Sequence, residues 1–388
     1  MNARTLPSLQ QQLHQLVASP SVSATNPKLD MGNRGVIDLL AAWLETLGFR
    51  VEIMPIEGQP HKANLIATLG SGDGGLVLAG HTDTVPYDDN RWQSDPFKLS
   101  ERDNRLYGLG STDMKGFFPI AIEAAKAFVD KPLQHPLIIL ATADEETSMA
   151  GARALVKAGR PKARYAVIGE PTGLKPIRMH KGMTMHALRI TGQAGHSSDP
   201  NYGASALEAM HGAVGEILAL RSEWQQRYQN PGFAVPVPTL NLGCIHGGDN
   251  PNRICGHTEL QFDLRPLPGM PMDELRGELH QRLNKAIHGE KISFTLEPLI
   301  GDVDAYEEPA QSELVKVAET LTGHSAESVA FATEAPFLQQ LGMQTIVLGP
   351  GDIDQAHQPD EYLGLERINP MVEVLRGMIG RLCLQESI

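Results

Sequence analysis

Several short apolar runs in this chain end on residues able to bind a metal or move a proton. Leu76-Val77-Leu78-Ala79 leads to His81 and Asp83, Leu137-Ile138-Ile139-Leu140 to Asp144-Glu145-Glu146, and Tyr165-Ala166-Val167-Ile168 to Glu170. Thr345-Ile346-Val347-Leu348, followed by a Gly-Pro-Gly turn, leads to His357. Such runs read as buried strands. In an open α/β sheet, ligands collect at the carboxyl ends of the strands, so residues far apart in sequence can meet in one crevice. The nitrogen and oxygen donors assembled there suit zinc.

Each residue has its own logic. His81 and Asp83, two apart on an extended segment, leave the same face. An imidazole there can bind a metal through one nitrogen while the carboxylate holds the other; taken alone, the pair is a weak signal that reads more readily as a surface hydrogen bond. Asp113 follows Gly108-Leu109-Gly110-Ser111-Thr112 and opens a helix, either as an N-cap or as a carboxylate giving one oxygen to each of two metals. Glu145 and Glu146 are neighbours and diverge, so one can bind metal while the other faces a substrate water; a solvated acidic turn is the plainer alternative. Glu170 precedes Pro171, which favours an extended backbone, and His357 lies in the polar loop Gln355 to Glu361. Together, two histidines, one bridging carboxylate and two further carboxylates furnish two three-ligand sites. Two Zn²⁺ ions would be balanced by these three carboxylates and one hydroxide.

The elements that must position these residues are legible from periodicity. A chain of 388 residues exceeds the size at which one core keeps growing, so two domains are expected. Up to Gly182 helical and strand-like segments alternate, with an amphipathic stretch at Val36 to Leu47, a strand ending at Gly80 and a helix from Gly116 to Val129, an α/β layout. From Met183 the rhythm changes to strand Met185 to Thr191, helix Ala204 to Arg227, strands Thr239 to Ile245 and Glu259 to Arg265, helix Met272 to Ile287 and strand Ile292 to Leu296. This β-α-β-β-α-β order is ferredoxin-like. After Pro298 the first style returns, with a helix at Glu313 to Thr322, a strand at Thr345 to Leu348 and a last helix from Pro370 to Leu384. The middle unit, 183–297, is therefore read as an insertion between two parts of one catalytic domain, 1–182 and 298–388. Gly70-Ser71-Gly72-Asp73-Gly74-Gly75 lacks the lysine of a P-loop and precedes a strand; it is expected to be a hairpin turn.

Composition narrows the partners. A formal charge of −13 excludes the basic footprint of a nucleic-acid binder. No apolar stretch approaches the roughly 20 residues of a bilayer span, and the N-terminus lacks a signal peptide's apolar core. Cys244, Cys255 and Cys383 show no zinc-finger spacing and read as ordinary buried thiols of a reducing compartment, which makes the cytoplasm the expected location.

The segments His81 to Pro86, Gly108 to Gly116, Ala143 to Ser148, Gly169 to Thr172, Gly195 to Ser198, Asn252 to Cys255, Asp263 to Gly269 and Gln355 to Glu361 resemble those of the M20 metallopeptidase family, amidohydrolases and aminopeptidases with two zinc ions per subunit, for which Co²⁺ can substitute. The resemblance spans nearly the full length. It implies a zinc-peptidase-like α/β catalytic domain, with a mixed sheet flanked by helices, and an inserted ferredoxin-like α+β lid and dimerisation domain. It further implies that His81 and Glu170 hold one zinc, Glu146 and His357 the other, and Asp113 bridges them, with Asp83 behind His81, Glu145 as general base and a cis peptide between Asp113 and Met114. His196 would reach into the active site of a homodimer partner, and Asn252 and Arg265 would approach the carboxylate of a small N-acyl amino acid substrate. Glu334, in Thr333-Glu334-Ala335-Pro336, is a candidate partner for a substrate ammonium. The competing readings are a different acyl or peptide specificity on the same metals, or a binding protein that has lost catalysis.

Overall fold

The apolar runs that end on candidate ligands are strands buried on both faces. In the computed structural model, which describes residues 6–88 and 90–384, Leu76–His81, Leu137–Thr142 and Tyr165–Ile168 are buried at every residue, and Gln344–Val347 at all but its first. They lie in one sheet in the order Arg50–Ile56, Gln59–Leu69, Leu137–Thr142, Leu76–His81, Tyr165–Ile168, Gln344–Val347. The last four run parallel, and Gln59–Leu69 is antiparallel to Leu137–Thr142. His81 is in register with Thr142, and Ala79 with Ile168, which aligns with Val347. The four strand ends carrying the candidate ligands therefore emerge on one edge of the sheet.

The glycine-rich segment expected to be a hairpin turn is not one. It joins Gln59–Leu69 to Leu76–His81, but Leu137–Thr142 lies between those strands. Gly70, Gly72, Gly74 and Gly75 all have positive φ, and a Cβ on Gly75 would stand 2.2 Å from the Pro136 carbonyl oxygen. The loop thus folds around the start of a strand that comes much later in the sequence, a partner no local pattern discloses.

Helices cover the sheet with apolar faces. Phe117–Ala125 buries every residue except Glu123, and its Pro119 falls in the first turn, where no intrahelical N–H bond is lost. The helix continues as a 3₁₀ turn at Lys126–Phe128. The last helix spans Leu365–Cys383 rather than starting at Pro370, because Ile368 already belongs to the buried stripe continued by Met371, Val372 and Leu375. Gly169 is where strand and helix approach closest: a Cβ there would stand 2.1 Å from the Phe117 ring.

The chain divides into two compact units, one of Met1–Arg178, Glu308–Glu327 and Thr333–Ile388, the other of Met179–Glu307 and Ser328–Ala332. The division falls outside the 183–297 read from periodicity. The segments entering and leaving the second unit pair with each other, His180 with Tyr306 and Met183 with Val303, so they stay together. The short second excursion is tied in by Ser328 Oγ, which donates to Gly232 O at 2.5 Å. In that unit Thr184–Thr191, Thr239–Gly247, His257–Arg265 and Ser293–Pro298 form an antiparallel sheet in which Thr184–Thr191 and His257–Arg265 are central. Ala206–Arg227 and Met272–Ala286 pack on it through Met210, Ile217, Leu220, Trp224, Leu275 and Leu279, completing the ferredoxin-like arrangement. The cysteines are unbridged; Cys383 is buried, whereas Cys244 and Cys255, on a sheet edge and a loop, are partly exposed. Among the described residues no helix is long and apolar enough to cross a membrane.

Gly169→Ala is expected to cost about 1–3 kcal/mol by overpacking against Phe117; urea unfolding of the purified variant reads this directly, and an unchanged midpoint would contradict the contact.

Candidate metal centre

Donor atoms of His81, Asp113 and Glu170 lie within 4.8 Å of one another, as do those of Asp113, Glu146 and His357. Asp113 belongs to both sets and turns one oxygen to each: Oδ1 is 3.0 Å from His81 Nε2, and Oδ2 is 3.5 Å from His357 Nε2. His81 Nε2 is 3.8 Å from Glu170 Oε1, and His357 Nε2 is 3.1 Å from Glu146 Oε2. Glu145 also stands beside His81 and Glu146. Asp113 does not cap the helix, which begins at Phe117, and its peptide bond to Met114 is cis.

His81 Nδ1 approaches the Asp83 carbonyl oxygen at 3.0 Å, whereas the Asp83 carboxylate stands 3.8 Å away. The same-face rule lapses because the strand ends at His81 itself. An N–H on Nδ1 donated to that carbonyl leaves the Nε2 lone pair free for a cation. The Asp83 carboxylate instead accepts the Glu146 N–H at 3.1 Å, which fixes the backbone of another residue of the cluster. Its Oδ1 has no hydrogen-bond partner among the described residues.

The electrostatics fit a pair of cations. Burial raises the pKa of Glu170, Glu145 and Glu146, and neighbouring carboxylates raise them further, although His81 opposes the rise in each. Asp113 is buried too, but its bonds to His357 and His81 hold it well below the usual carboxylate range. Those bonds to Asp113 and Glu146 raise His357 to about 10. The imidazoles thus serve as counter-charges where divalent ions would do so more strongly. Hard oxygens and neutral imidazole nitrogens, three per site with one shared carboxylate, form a suitable donor set for two such ions.

Buried polar groups hold the ligand loops. Glu361 accepts N–H bonds from Gly110 at 2.8 Å, Thr112 at 2.8 Å and Asp113 at 2.9 Å. Burial raises its pKa to about 8 against the lowering effect of these bonds. Asp144, at φ 65°, accepts from Lys62 and Ser148, and from Ser23 Oγ at 2.6 Å. Lys62 also reaches Asp30 at 2.9 Å. Asn64 accepts the Ala143 N–H at 3.1 Å and donates to Gly151 O at 2.9 Å, closing the Glu145–Glu146 loop from its other side. Sequence reading gave Lys62, Asn64 and Glu361 no role, because single polar residues next to apolar ones carry no periodic signal.

Six of the residues singled out in the sequence, His81, Asp113, Glu145, Glu146, Glu170 and His357, form this cluster. Glu334 is also in the first unit, 2% exposed. Its Oε2 accepts from Thr142 Oγ1 at 2.9 Å, while Oε1 has no hydrogen-bond partner among the described residues. Burial raises its pKa to about 7, against His81. His196, Asn252 and Arg265 belong to the second unit. His196 is exposed, with Nδ1 2.8 Å from Ser198 Oγ; Asn252 O accepts the Ser197 N–H at 3.1 Å; Arg265 Nε donates to both Asp263 oxygens, at 3.0 and 2.9 Å.

Comparison with known proteins follows the same lines. Residues 77–381 match the family model described as peptidase family M20/M25/M40. The acetylornithine deacetylase of Pasteurella multocida is 50% identical over 380 residues, covering 98% of this chain and 99% of the relative. That of Proteus mirabilis is 50% identical over 382 residues, covering 98% of each. Among solved structures, aminopeptidase PepT from Bacillus cereus superposes with a TM-score of 0.74 at 19% identity, over 98% of this chain and all of the other. The M20 metallo-carboxypeptidase Sso-CP2 from Sulfolobus solfataricus gives a TM-score of 0.73 at 16% identity, over 96% and 98%.

Lys62→Met strands a buried carboxylate and is expected to destabilise by about 3 kcal/mol. Burial opposes ionisation of Asp144, yet its bonds from Lys62, Ser148 and Ser23 hold its pKa below the ordinary 3.8. The pair's contribution is therefore present above pH 3.8 and lost as the pH falls below it. Denaturant unfolding across that range should show the gap between wild type and variant closing in acid; a gap that widens would contradict the pairing.

Proposed function

This chain belongs to peptidase family M20/M25/M40, and on that premise we propose that it hydrolyses the acetyl amide of N2-acetyl-L-ornithine to L-ornithine and acetate. The observation that carries the reading is identity at half of all positions, end to end, with acetylornithine deacetylases. The clustering of the six candidate residues in the first unit supports it. The ions are Zn²⁺, two per subunit, with Co²⁺ able to replace them, the subunit works as a homodimer, and the enzyme acts in the cytoplasm on the path to arginine.

His81, Asp113 and Glu170 hold one ion and Asp113, Glu146 and His357 the other; when bound, the pair supplies Lewis acidity and brings the pKa of water down to about 7. Glu145, left outside both sets, takes the proton of the attacking water and passes it to the departing amine. Standing beside His81 and Glu146 but outside both sets, its carboxylate is free to accept and return that proton. His196 of a partner subunit donates to the oxyanion that forms on the acetyl carbonyl, a contribution on the order of 3 kcal/mol for one placed donor. Arg265 and Asn252 bind the substrate α-carboxylate, which a guanidinium can grip through two N–H groups. The unpaired oxygen of Glu334 accepts the side-chain ammonium, a contact an uncharged side chain cannot make.

A ninhydrin or acetate-release assay on a panel of N-acyl amino acids tests the substrate, with acetylornithine expected to give the highest kcat/KM; preference for a succinylated or dipeptide substrate would reject it. Chelation should abolish turnover, and Zn²⁺ or Co²⁺ should restore it. Glu145→Ala is expected to keep two metals by elemental analysis while turnover falls about 10²–10⁴-fold; Asp113→Ala should lose metal as well. Glu334→Gln should reduce kcat/KM for acetylornithine far more than for acetylmethionine, and equal losses would remove its role.

A further inference from the structure

Two ligands of the second metal set come from different loops, and one of them is poorly held by its own surroundings. The His357 side chain is 54% exposed, and its backbone is at φ 58°, so packing does not fix the imidazole. Asp113 lies in the Gly108 to Gly116 turn, which forms neither helix nor strand up to Gly116. What joins the two loops is Glu361, four residues beyond His357. Its carboxylate, in a residue 2% exposed, gathers the N–H groups of Gly110, Thr112 and Asp113. Its carbonyl takes the Gly108 N–H at 3.0 Å, so the turn from Gly108 to Asp113 closes on one residue. Only an acceptor at both oxygens satisfies three converging N–H groups. Lys115, buried nearby, donates to Ser19 O at 3.2 Å.

Resting on the metal-centre reading above, we propose that Glu361 is the positioning residue for the second metal: by bonding the turn that carries Asp113 to the loop that carries His357, it sets the separation of those two ligands. Glu361 touches neither substrate nor ion. It acts through the Asp113 backbone, and its loss is felt as loss of metal affinity. Replacing a group that orients a metal ligand typically weakens affinity about 10–100-fold.

The test uses full-length protein stripped of metal and titrated with Zn²⁺ by calorimetry, in wild type, Glu361→Gln, His357→Ala and the double variant. In Glu361→Gln the amide NH₂ must face at least one backbone N–H. The expected result is a loss of at least about tenfold in the weaker of the two binding steps, a smaller loss in the tighter step because Asp113 serves both sets, and kcat restored by excess metal with little change in KM. In the His357→Ala background the same substitution should add far less to the weaker step, because the ligand pair whose separation Glu361 sets is already broken. Unchanged binding in Glu361→Gln, or an equal loss in both backgrounds, overturns the proposal. Should Glu361→Gln fail to fold by circular dichroism, Glu361→Asp, which keeps the charge but falls one methylene short, is judged on the same isotherms and criteria. Binding is read without substrate, so a wrong substrate assignment leaves this result unaffected, whereas failure of wild type to bind two Zn²⁺ would sink the metal-centre reading itself.

Discussion

Mutual repulsion among buried carboxylates is the constraint around which this molecule is built. Asp113, Glu146 and Glu170 converge in a buried to half-buried cluster, with Glu145 beside them. Two like charges about 4 Å apart repel by about 4 kcal/mol even at an effective dielectric of 20, and each carboxylate also loses hydration. Left alone such groups take up protons, and the raised pKa values of Glu145, Glu146 and Glu170 express that tendency. Asp113 escapes it by standing between two imidazoles. A pair of dications resolves the conflict for the whole group, so the charge clustering and the metal requirement are one fact.

Holding repelling groups together calls for rigid supports, and the fold supplies them at two levels. Parallel strands buried on both faces fix where His81, the Glu145–Glu146 loop and Glu170 start. Beyond the strand ends, where the sheet no longer dictates geometry, buried polar residues take over: Asp83 on the Glu146 N–H, Lys62 and Ser23 on Asp144, Asn64 on Ala143. Each uses charge-assisted or buried hydrogen bonds, which are stronger than exposed ones and costly to leave unmade.

The strands and the cluster were legible in the sequence for a physical reason. A strand buried on both faces must be continuously apolar, and a ligand at its end must be an acid or a histidine, so Leu76 to His81 and Tyr165 to Glu170 carry both signals within a few residues. The order of strands and helices from Thr184 to Pro298 was readable for the same reason, since alternation of period two marks a half-buried sheet. What escaped depended on contacts distant in sequence. The Gly70 to Gly75 loop looked like a hairpin because the strand that separates its two arms arrives only at Leu137. Lys62 and Glu361 have no role legible in sequence because their partners lie across the fold. The second compact unit runs past 183–297, from Met179 to Glu307, and the pairing of His180 with Tyr306 leaves no mark in composition.

The late position of Gln344–Val347 in the chain has a consequence for biogenesis. Every residue of the first candidate set, His81, Asp113 and Glu170, is synthesised before the chain departs at Arg178 into the second unit, whereas that strand and His357 follow the return at Glu308. On a ribosome, where amino-terminal parts fold first, Tyr165–Ile168 waits with one flank unpaired while more than a hundred residues of another unit are made. An apolar strand with open backbone groups is a template for association with other chains. Until its neighbour docks, that flank of the nascent sheet stays open to such pairing.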